Sequence, residues 1–184
     1  MPSILDPNAV LAATDVVLRP NRPAFVPHLL EAATESMASV GRWMTWCHPA
    51  LSREDALEWY ARCEANWANG TEYEFSVFTA SGHYLGAAGL NQINQPNNFA
   101  NLGYWIRQSR QRAGYAGAAA RLLANFGLST LRLSRIEIVV AEGNAPSRRV
   151  AEKIGAHFEG ILRKRLSIHG RMHDAAMYSL TRDE

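Results

Sequence analysis

The chain has 184 residues, 47% of them hydrophobic, so it can bury one sizeable core and has no need of a second domain. Its formal net charge is only +2, and its basic residues are not interleaved with aromatic ones, which argues against a nucleic-acid partner. Two cysteines without metal-ligand spacing, no signal pattern and no bilayer-spanning apolar run argue against a metal centre, a disulfide framework and a membrane partner, and they favour a cytoplasmic location.

Before residue 107 the sequence predicts a strand-rich region. Residues 1–13 are expected to form a loose N-terminal arm. The best-marked helix begins at Ser52, because Asp55 stands three residues later and can complete a capping box. The other elements predicted here are a strand over 15–19, helical sequence over 23–40, a hairpin of strands 73–79 and 83–93, and a strand over 102–106.

A glycine-containing loop follows directly after the strand predicted over 102–106. Residues 111–117 read Gln-Arg-Ala-Gly-Tyr-Ala-Gly and open an alanine- and leucine-rich helix that extends to about residue 131. Gly114 lets the backbone turn where a Cβ would obstruct, and the unpaired amides of the first helical turn then point outward. Their partial positive charge suits a pyrophosphate, so the loop indicates a nucleotide-type ligand without specifying a reaction.

The remaining third of the chain predicts one more helix between strands. Residues 135–140 alternate in polarity as a strand does, Pro146 suits the first position of a short helix, and Gly155 suits its C-terminal end. Two final strands, over 158–168 and 172–181, pair around a His169-Gly170 turn.

The charges divide the chain into two halves. Residues 1–106 carry 5 basic and 10 acidic side chains, whereas residues 107–184 carry 14 basic and 7 acidic ones. The later half, which contains the glycine loop, suits a polyanion, and the acidic half suits a cationic amine. Ordinary solvated faces would show the same pattern. The candidate phosphate contacts are Arg107, Arg110, Arg112, Arg148 and Arg149.

Several short motifs follow one another in a fixed order. The loop fits Q/R-x-x-G-x-G/A through Gln111, Gly114 and Ala116, and Asn144 and Ser147 later form an N-x-x-S pattern. The set is completed by Gly155, Phe158-Glu-Gly160, Arg163 and the early Trp43-Met-Thr-Trp46. Together these motifs resemble the GNAT N-acetyltransferase family, and most closely its RimL-like branch, which acetylates the N-terminal serine of ribosomal proteins.

The resemblance implies a single α+β domain over residues 1–184. Its sheet would be mostly antiparallel and twisted, with about seven strands and about four flanking helices. Strands four and five would splay apart to admit the pantetheine arm of the cofactor. The implied co-substrate is acetyl-CoA, with no metal. The implied cofactor-binding residues are Tyr104, Trp105, Ile106, Gln111, Arg112, Ala113, Gly114, Tyr115, Ala116, Gly117, Asn144 and Arg149.

The implied chemistry is attack of a neutral amine on the thioester carbonyl of acetyl-CoA, after which a thiolate departs and needs an acid. In the family a tyrosine commonly supplies that proton, but its position here is Ala151. The RimL-like branch has a serine three residues after the asparagine, which makes Ser147 the candidate catalytic residue. A plain first-turn serine is the alternative interpretation. Asn144 binds the pantetheine arm or only shapes the turn.

The sequence does not identify the general base. Asn101 occupies the position where many GNAT members have a glutamate, and Leu166 occupies the position of a glutamate thought to act in some RimL-like members. A protein α-amino group, with a pKa near 8, would need less help than a lysine side chain. The remaining candidates are Glu72, Glu74, His83, His169, Asp174 and a water held by Asn91 or Tyr104.

The acceptor is expected to be a protein N-terminal α-amine, for example that of a ribosomal protein. Trp43, Trp46 and Asn91 are the candidate substrate-binding residues, although core packing is the first interpretation of any tryptophan. Two alternatives stay open: a small amine such as a polyamine, amino acid or aminoglycoside, and a non-catalytic acyl-CoA sensor. No sequence seam defines a homodimer, which also stays open.

Overall fold

The structure, a computed structural model, describes residues 6–182. Eight strands form one sheet in the spatial order β1-β2-β3-β4-β5-β6-β8-β7. The strands are β1 (Leu11–Ala12), β2 (Val16–Pro20), β3 (Tyr73–Thr79), β4 (Tyr84–Asn94), β5 (Phe99–Ile106), β6 (Arg135–Ala141), β7 (His157–Ile168) and β8 (Arg171–Thr181). The α-helices are α1 (Val26–Ser36), α2 (Arg53–Asn69), α3 (Tyr115–Asn125) and α4 (Ala145–Lys153).

The α+β fold expected from the sequence is confirmed. All neighbouring strands are antiparallel except β5 and β6. Eight strands are present among residues 6–182 rather than about seven, because Leu11 and Ala12 pair with Leu18 and Val17 of β2. Part of the segment expected to be a loose arm is therefore a strand, while residues 1–5 lie outside the described range.

The opening of the sheet lies between β5 and β6. These strands pair only through Phe99 to Asn101, which lie beside Arg135 to Glu137. From Leu102 onward β5 has no paired residue on β6, so the two strands diverge and leave a wedge-shaped space. This is the splay that the family resemblance predicts between its fourth and fifth strands, shifted by one in number because of β1.

Two helices differ from the lengths predicted. The helical sequence over 23–40 forms a short 3₁₀ turn and then α1, which ends at Ser36 before a series of turns leads to α2. Helix α3 ends at Asn125, and a wider π-helical turn continues over Phe126–Thr130. Gly127 in that turn packs closely on β6: a Cβ there would lie 2.6 Å from the Cδ1 atom of Ile136.

Hydrophobic side chains pack on both faces of the sheet. Leu102 and Leu123 belong to the cluster beneath α3, whereas Tyr60, Phe78 and Trp105 belong to the cluster beneath α1 and α2. No helix within residues 6–182 is long and apolar enough to cross a membrane. Because both clusters pack on β5, this strand is fixed from both sides. One of its edges faces the wedge.

The capping box predicted at α2 is confirmed. The Asp55 amide donates to Ser52 Oγ at 3.0 Å, and the Ser52 amide donates to Asp55 Oδ2 at 2.9 Å. These hydrogen bonds satisfy two amides that have no partner within the helix. They fix where α2 begins, and so where the long α1–α2 connection over residues 37–52 ends.

Candidate active site

The wedge between β5 and β6 is part of a cleft with a volume of about 870 Å³. One wall is the end of β5, and the opposite wall is the start of α4. The first turn of α3 closes one side and the α1–α2 connection closes another. The lining residues come from four segments, namely 38–44, 104–106, 110–121 and 143–153.

The glycine loop forms an open helix start at this cleft. Gly114 has φ +86° and is the residue before α3, so it adopts the left-handed conformation that favours glycine. No side chain within residues 6–182 caps α3. The Gln111 side chain donates to the Ile106 carbonyl at 2.9 Å and ties the loop to the end of β5. The amides of the first turn are therefore left for an anion.

The cleft is strongly basic. Of the arginines suggested by the charge pattern, Arg110, Arg112 and Arg149 line it. Sequence reasoning missed Arg42, Arg121 and Lys153, although Arg121 lies four residues after Gly117 and so on the same face of α3. No carboxylate lines the cleft in the part of the chain that the structure describes. The full basic lining is Arg42, Arg110, Arg112, Arg121, Arg149 and Lys153.

The two other arginines are engaged elsewhere. Arg107 donates to Glu31 at 2.6 Å and to Glu35 at 2.7 Å, which ties the end of β5 to α1. This guanidinium lowers the pKa of the Glu35 carboxyl to about 2. Arg148 donates to the Tyr178 hydroxyl at 3.1 Å. Both arginines therefore have structural partners and do not line the cleft.

Ser147 meets a tyrosine that sequence spacing could not pair with it. The Ser147 hydroxyl donates to the Tyr104 hydroxyl at 3.1 Å, and the Tyr104 hydroxyl donates to the Ser147 carbonyl at 3.0 Å. Asn144 accepts from the Ser147 amide at 3.3 Å and so caps α4. Burial raises the pKa of Tyr104 to about 12, so its proton stays in place at neutral pH. Two hydroxyls thus stand together where one was expected.

The structure brings most of the sequence-predicted cofactor residues together. Eleven of the twelve line the cleft, and Ala113 does not. Of the acceptor candidates, Trp43 lines the cleft, and its ring reaches within 3.5 Å of where a Cβ on Gly143 would lie. Trp46 instead packs on Trp105 with ring centroids 5.1 Å apart, in the cluster beneath α1 and α2. Asn91, the third candidate, also lies outside the lining.

Asn91 belongs to a polar chain on the sheet surface. Its amide donates to Glu74 Oε1 at 3.3 Å, and its carbonyl oxygen accepts from the Asn101 amide at 2.9 Å. The Asn101 Oδ1 atom is buried without a hydrogen-bond partner among residues 6–182. Burial raises the pKa of the Glu74 carboxyl to about 7. Asn101 thus occupies the position where the family often has a glutamate and connects, through Asn91, to a glutamate on β3.

The other candidate bases are held in structural contacts. Asp174 Oδ1 accepts from the Lys164 amide at 2.8 Å, and Glu72 accepts from Asn66 at 2.7 Å. His83 lies at the exposed β3–β4 turn. His169 Nε2 lies 2.7 Å from the Gly41 carbonyl, which can only accept, so this nitrogen carries a hydrogen and joins the β7–β8 turn to the α1–α2 connection.

The raised pKa of Glu74 predicts a pH-dependent stability. The pKa of this carboxyl is higher in the folded state than in the unfolded state, so its ionisation destabilises the fold. The free energy of unfolding therefore falls as the pH rises from about 4.5 through about 7. Glu74→Gln removes this loss. Between pH 4 and pH 8 the variant is expected to gain about 1–3 kcal/mol over the wild type in urea unfolding. If the variant and the wild type differed by the same free energy of unfolding at pH 4 and at pH 8, this prediction would be contradicted.

Both cysteines are free thiols with buried side chains. Cys47 is 3% exposed, and burial raises the pKa of its thiol. Burial also raises the pKa of Cys63 to about 12. No group of side chains within residues 6–182 is arranged to hold a metal ion. Neither cysteine has the lowered pKa and exposure of a nucleophile.

Comparison with known proteins agrees with this geometry. The sequence matches the Acetyltransferase (GNAT) domain over residues 15–157. It is 31% identical over 173 residues to the protein named "Putative ribosomal N-acetyltransferase YdaF" of Bacillus subtilis (strain 168), a match that covers 92% of both chains. The fold is similar to a crystal structure of a probable acetyltransferase, with a TM-score of 0.86 and 27% identity over 94% of this chain and 97% of that one.

A more distant structure shows the same fold with a ligand bound. Mycobacterium smegmatis RimJ, in complex with CoA-disulfide, has a TM-score of 0.88 and 23% identity, over 95% of this chain and 88% of that one. The open helix start and the basic cleft are features that the glycine loop and the charge pattern predicted, and the splayed strands are the feature that the family resemblance implied. The chain therefore belongs to the GNAT acetyltransferase family, in its RimL-like branch, and is an N-acetyltransferase.

Proposed function

We propose that the protein transfers the acetyl group of acetyl-CoA to a protein N-terminal α-amine. The observation that carries the proposal is the cleft itself, which contains an uncapped helix start, six basic side chains and the Ser147–Tyr104 hydroxyl pair. The name of the Bacillus subtilis relative supports a ribosomal-protein acceptor. An N-terminus with serine or alanine is the favoured form.

Two features of the cleft support binding of the phosphates of CoA. A Cβ at Gly114 would meet no atom within 4 Å, so the first turn of α3 is open to a bulky anion. Arg112, Arg121 and Lys153 surround that turn and would pair with the pyrophosphate and the 3′-phosphate. The divergence of β5 from β6 exposes the edge of β5 near Tyr104, where a backbone amide would polarise the thioester carbonyl.

Acetyl-CoA supplies the thioester whose carbonyl carbon the amine attacks. Ser147, in the first turn of α4, is proposed to give its proton to the departing sulfur, where the helix dipole also favours negative charge. Tyr104 accepts a hydrogen bond from the serine hydroxyl and so orients it. The role of the tyrosine that the family has at the position of Ala151 is thus proposed to fall to Ser147, with Tyr104 of β5 as its hydrogen-bond partner.

A small amine is the second candidate acceptor. The chain is 27% identical over 99 residues to Spermidine N(1)-acetyltransferase of Escherichia coli, covering 54% of this chain and 53% of that one. The acidic first half of the sequence would suit a polyamine. The match to the Bacillus subtilis protein spans far more of the chain, which favours the protein acceptor.

The proposal is tested by incubating the protein with acetyl-CoA and a mixed panel of Ser- and Ala-initiated peptides, polyamines, amino acids and aminoglycosides. Mass spectrometry is expected to show acetylation of a peptide α-amine. Acetylation of a small amine alone would overturn the acceptor but keep the chemistry. Tight CoA binding without any product would instead support an acyl-CoA sensor.

Replacing Ser147 with alanine is expected to lower kcat on the order of 10²-fold, because the thiolate loses its acid. CoA affinity should not change. Tyr104→Phe should also lower kcat, and the double variant should be little worse than Ser147→Ala, because the two hydroxyls act as one unit. Ser129→Ala, which alters an exposed hydroxyl far from the cleft, is the control. Unchanged turnover of the Ser147 variant would remove that residue from the mechanism.

A further inference from the structure

A second polar site lies on the face of the sheet that carries α1 and α2. Glu74 of β3, Asn91 of β4 and Asn101 of β5 form a hydrogen-bonded row across three strands. All three side chains are partly exposed and lie outside the lining of the CoA cleft. A row of hydrogen-bonded polar side chains is unusual here, because apolar residues fill the neighbouring part of the same face.

Two glycines open a trough from Glu74 towards β5. Glu74 pairs with Gly89, and Gly89 pairs with Gly103. A Cβ at Gly89 would lie 2.1 Å from Glu74 Oε2, so the carboxylate lies directly over the backbone of β4. A Cβ at Gly103 would meet only the Asn91 amide nitrogen, at 3.7 Å, so that space is free. The carboxylate is therefore about one strand spacing, or about 4.8 Å, from the Gly103 backbone.

The trough ends beside the reacting part of the cleft. Gly103 is followed on β5 by Tyr104 and Trp105, and both line the cleft. The β5 backbone beyond Gly103 is the segment expected to polarise the thioester carbonyl. An amine above Gly103 would thus lie between the Glu74 carboxylate and this backbone.

We propose that Glu74 is the general base of the reaction, that it takes a proton from the acceptor ammonium in the trough over Gly89 and Gly103, and that Asn91 and Asn101 position it. This inference rests on the proposed function, because it needs an amine acceptor. It places the base on β3, two strands away from the position that the family resemblance suggested.

The proton balance is simple. The ammonium gives one proton to the Glu74 carboxylate, which passes it to solvent. The neutral nitrogen then forms a bond to the carbonyl carbon, and the carbon–sulfur bond breaks. The nitrogen loses a second proton in this step, which replaces the one that Ser147 gives to the sulfur. The products are the amide, CoA as a thiol, and one proton in solution.

The surroundings of Glu74 suit a base near neutral pH. Burial raises the pKa of its carboxyl to about 7, the charge of Glu72 raises it further, and the hydrogen bond from Asn91 opposes the rise. Cys63 of α2 also faces this carboxyl, and its own pKa is raised by burial, so it stays neutral. A base with a pKa near the working pH is efficient, and an α-amine near 8 is matched to it.

The test compares pH profiles of kcat/KM for the wild type, Glu74→Gln and Glu72→Gln on the acceptor that the panel of peptides and small amines identifies. The wild-type rate should rise as the pH passes through about 7, because the base must be ionised. Glu74→Gln should lose that rise and about 10²-fold in kcat, with unchanged CoA affinity. Glu72→Gln, which removes a neighbouring charge, should keep kcat and move the rise to lower pH.

Asn91→Ala provides a second variant with a different readout. It removes the hydrogen bond that lowers the pKa of Glu74, so the midpoint of the profile should move to higher pH, which a purely structural loss would not do. A Glu74→Gln protein that is folded, binds CoA and keeps the wild-type profile would overturn this inference and leave the proposed function intact. A wild type that acetylates no amine would overturn both.

Discussion

Replacing Gly114 with glutamate is expected to weaken CoA binding by about 10- to 100-fold, because the pyrophosphate would lose charge-assisted hydrogen bonds worth about 1.5–3 kcal/mol. The new carboxylate would stand at the open start of α3, where six basic side chains and the helix amides otherwise attract an anion. It would also compete for those amides as an internal ligand. Isothermal titration with CoA measures the change directly.

Gly155→Glu is a closely matched control. Gly155 has φ +88° against +86° for Gly114, and a Cβ at either residue would meet no atom within 4 Å. Both substitutions therefore place a side chain at nearly the same positive φ and add the same charge, but Gly155 does not line the cleft. Equal losses of CoA affinity in the two variants would show that strain, and not the anion site, determines the effect.

Replacing Gly86 with alanine is expected to cost about 3 kcal/mol or more in the free energy of unfolding. Gly86 has φ +151°, and a Cβ there would lie 2.2 Å from the Trp105 carbonyl oxygen. This oxygen belongs to the backbone, so it cannot move away by a change of side-chain rotamer. The β5 strand would have to shift, and with it the cleft residues Trp105 and Ile106. Urea unfolding measures the stability, and turnover should fall as well.

Gly82→Ala separates conformational strain from the clash. Gly82 also has a positive φ, of +87°, but it lies in the β3–β4 turn, where a Cβ would meet no atom within 4 Å. Its substitution should cost only about 1–2 kcal/mol and leave turnover unchanged. If the two variants lost the same stability, the close approach of β4 to β5 would not be the cause.

The conformation of the glycine loop could be predicted because its signals are local. Gly114 directly precedes the helix start that it shapes, and Asn144 of the N-x-x-S pattern directly precedes α4, which it caps. The capping box at Ser52 is of the same kind. In each case the residue that shapes the backbone and the backbone it shapes are neighbours in sequence, so no tertiary information is needed.

The surroundings of Ser147 could not be predicted, because they depend on contacts between elements that are distant in sequence. Tyr104 and Ser147 are 43 residues apart, and their hydroxyls meet only because β5 and α4 flank the same wedge. Charge alone suggested Arg107 for phosphate, but tertiary contact commits it to Glu31 and Glu35. Trp46 likewise resembled an acceptor residue and proved to pack on Trp105.

The hydrogen bond between His169 and Gly41 sets an order of assembly for the protein. It joins residues 128 positions apart, and Gly41 belongs to the connection that forms one wall of the cleft. On the ribosome this connection would emerge long before its partner turn, so this contact could form only after most of the sheet had been synthesised. Because such distant contacts form late, the enzyme should acquire a closed active site only in the last stage of folding.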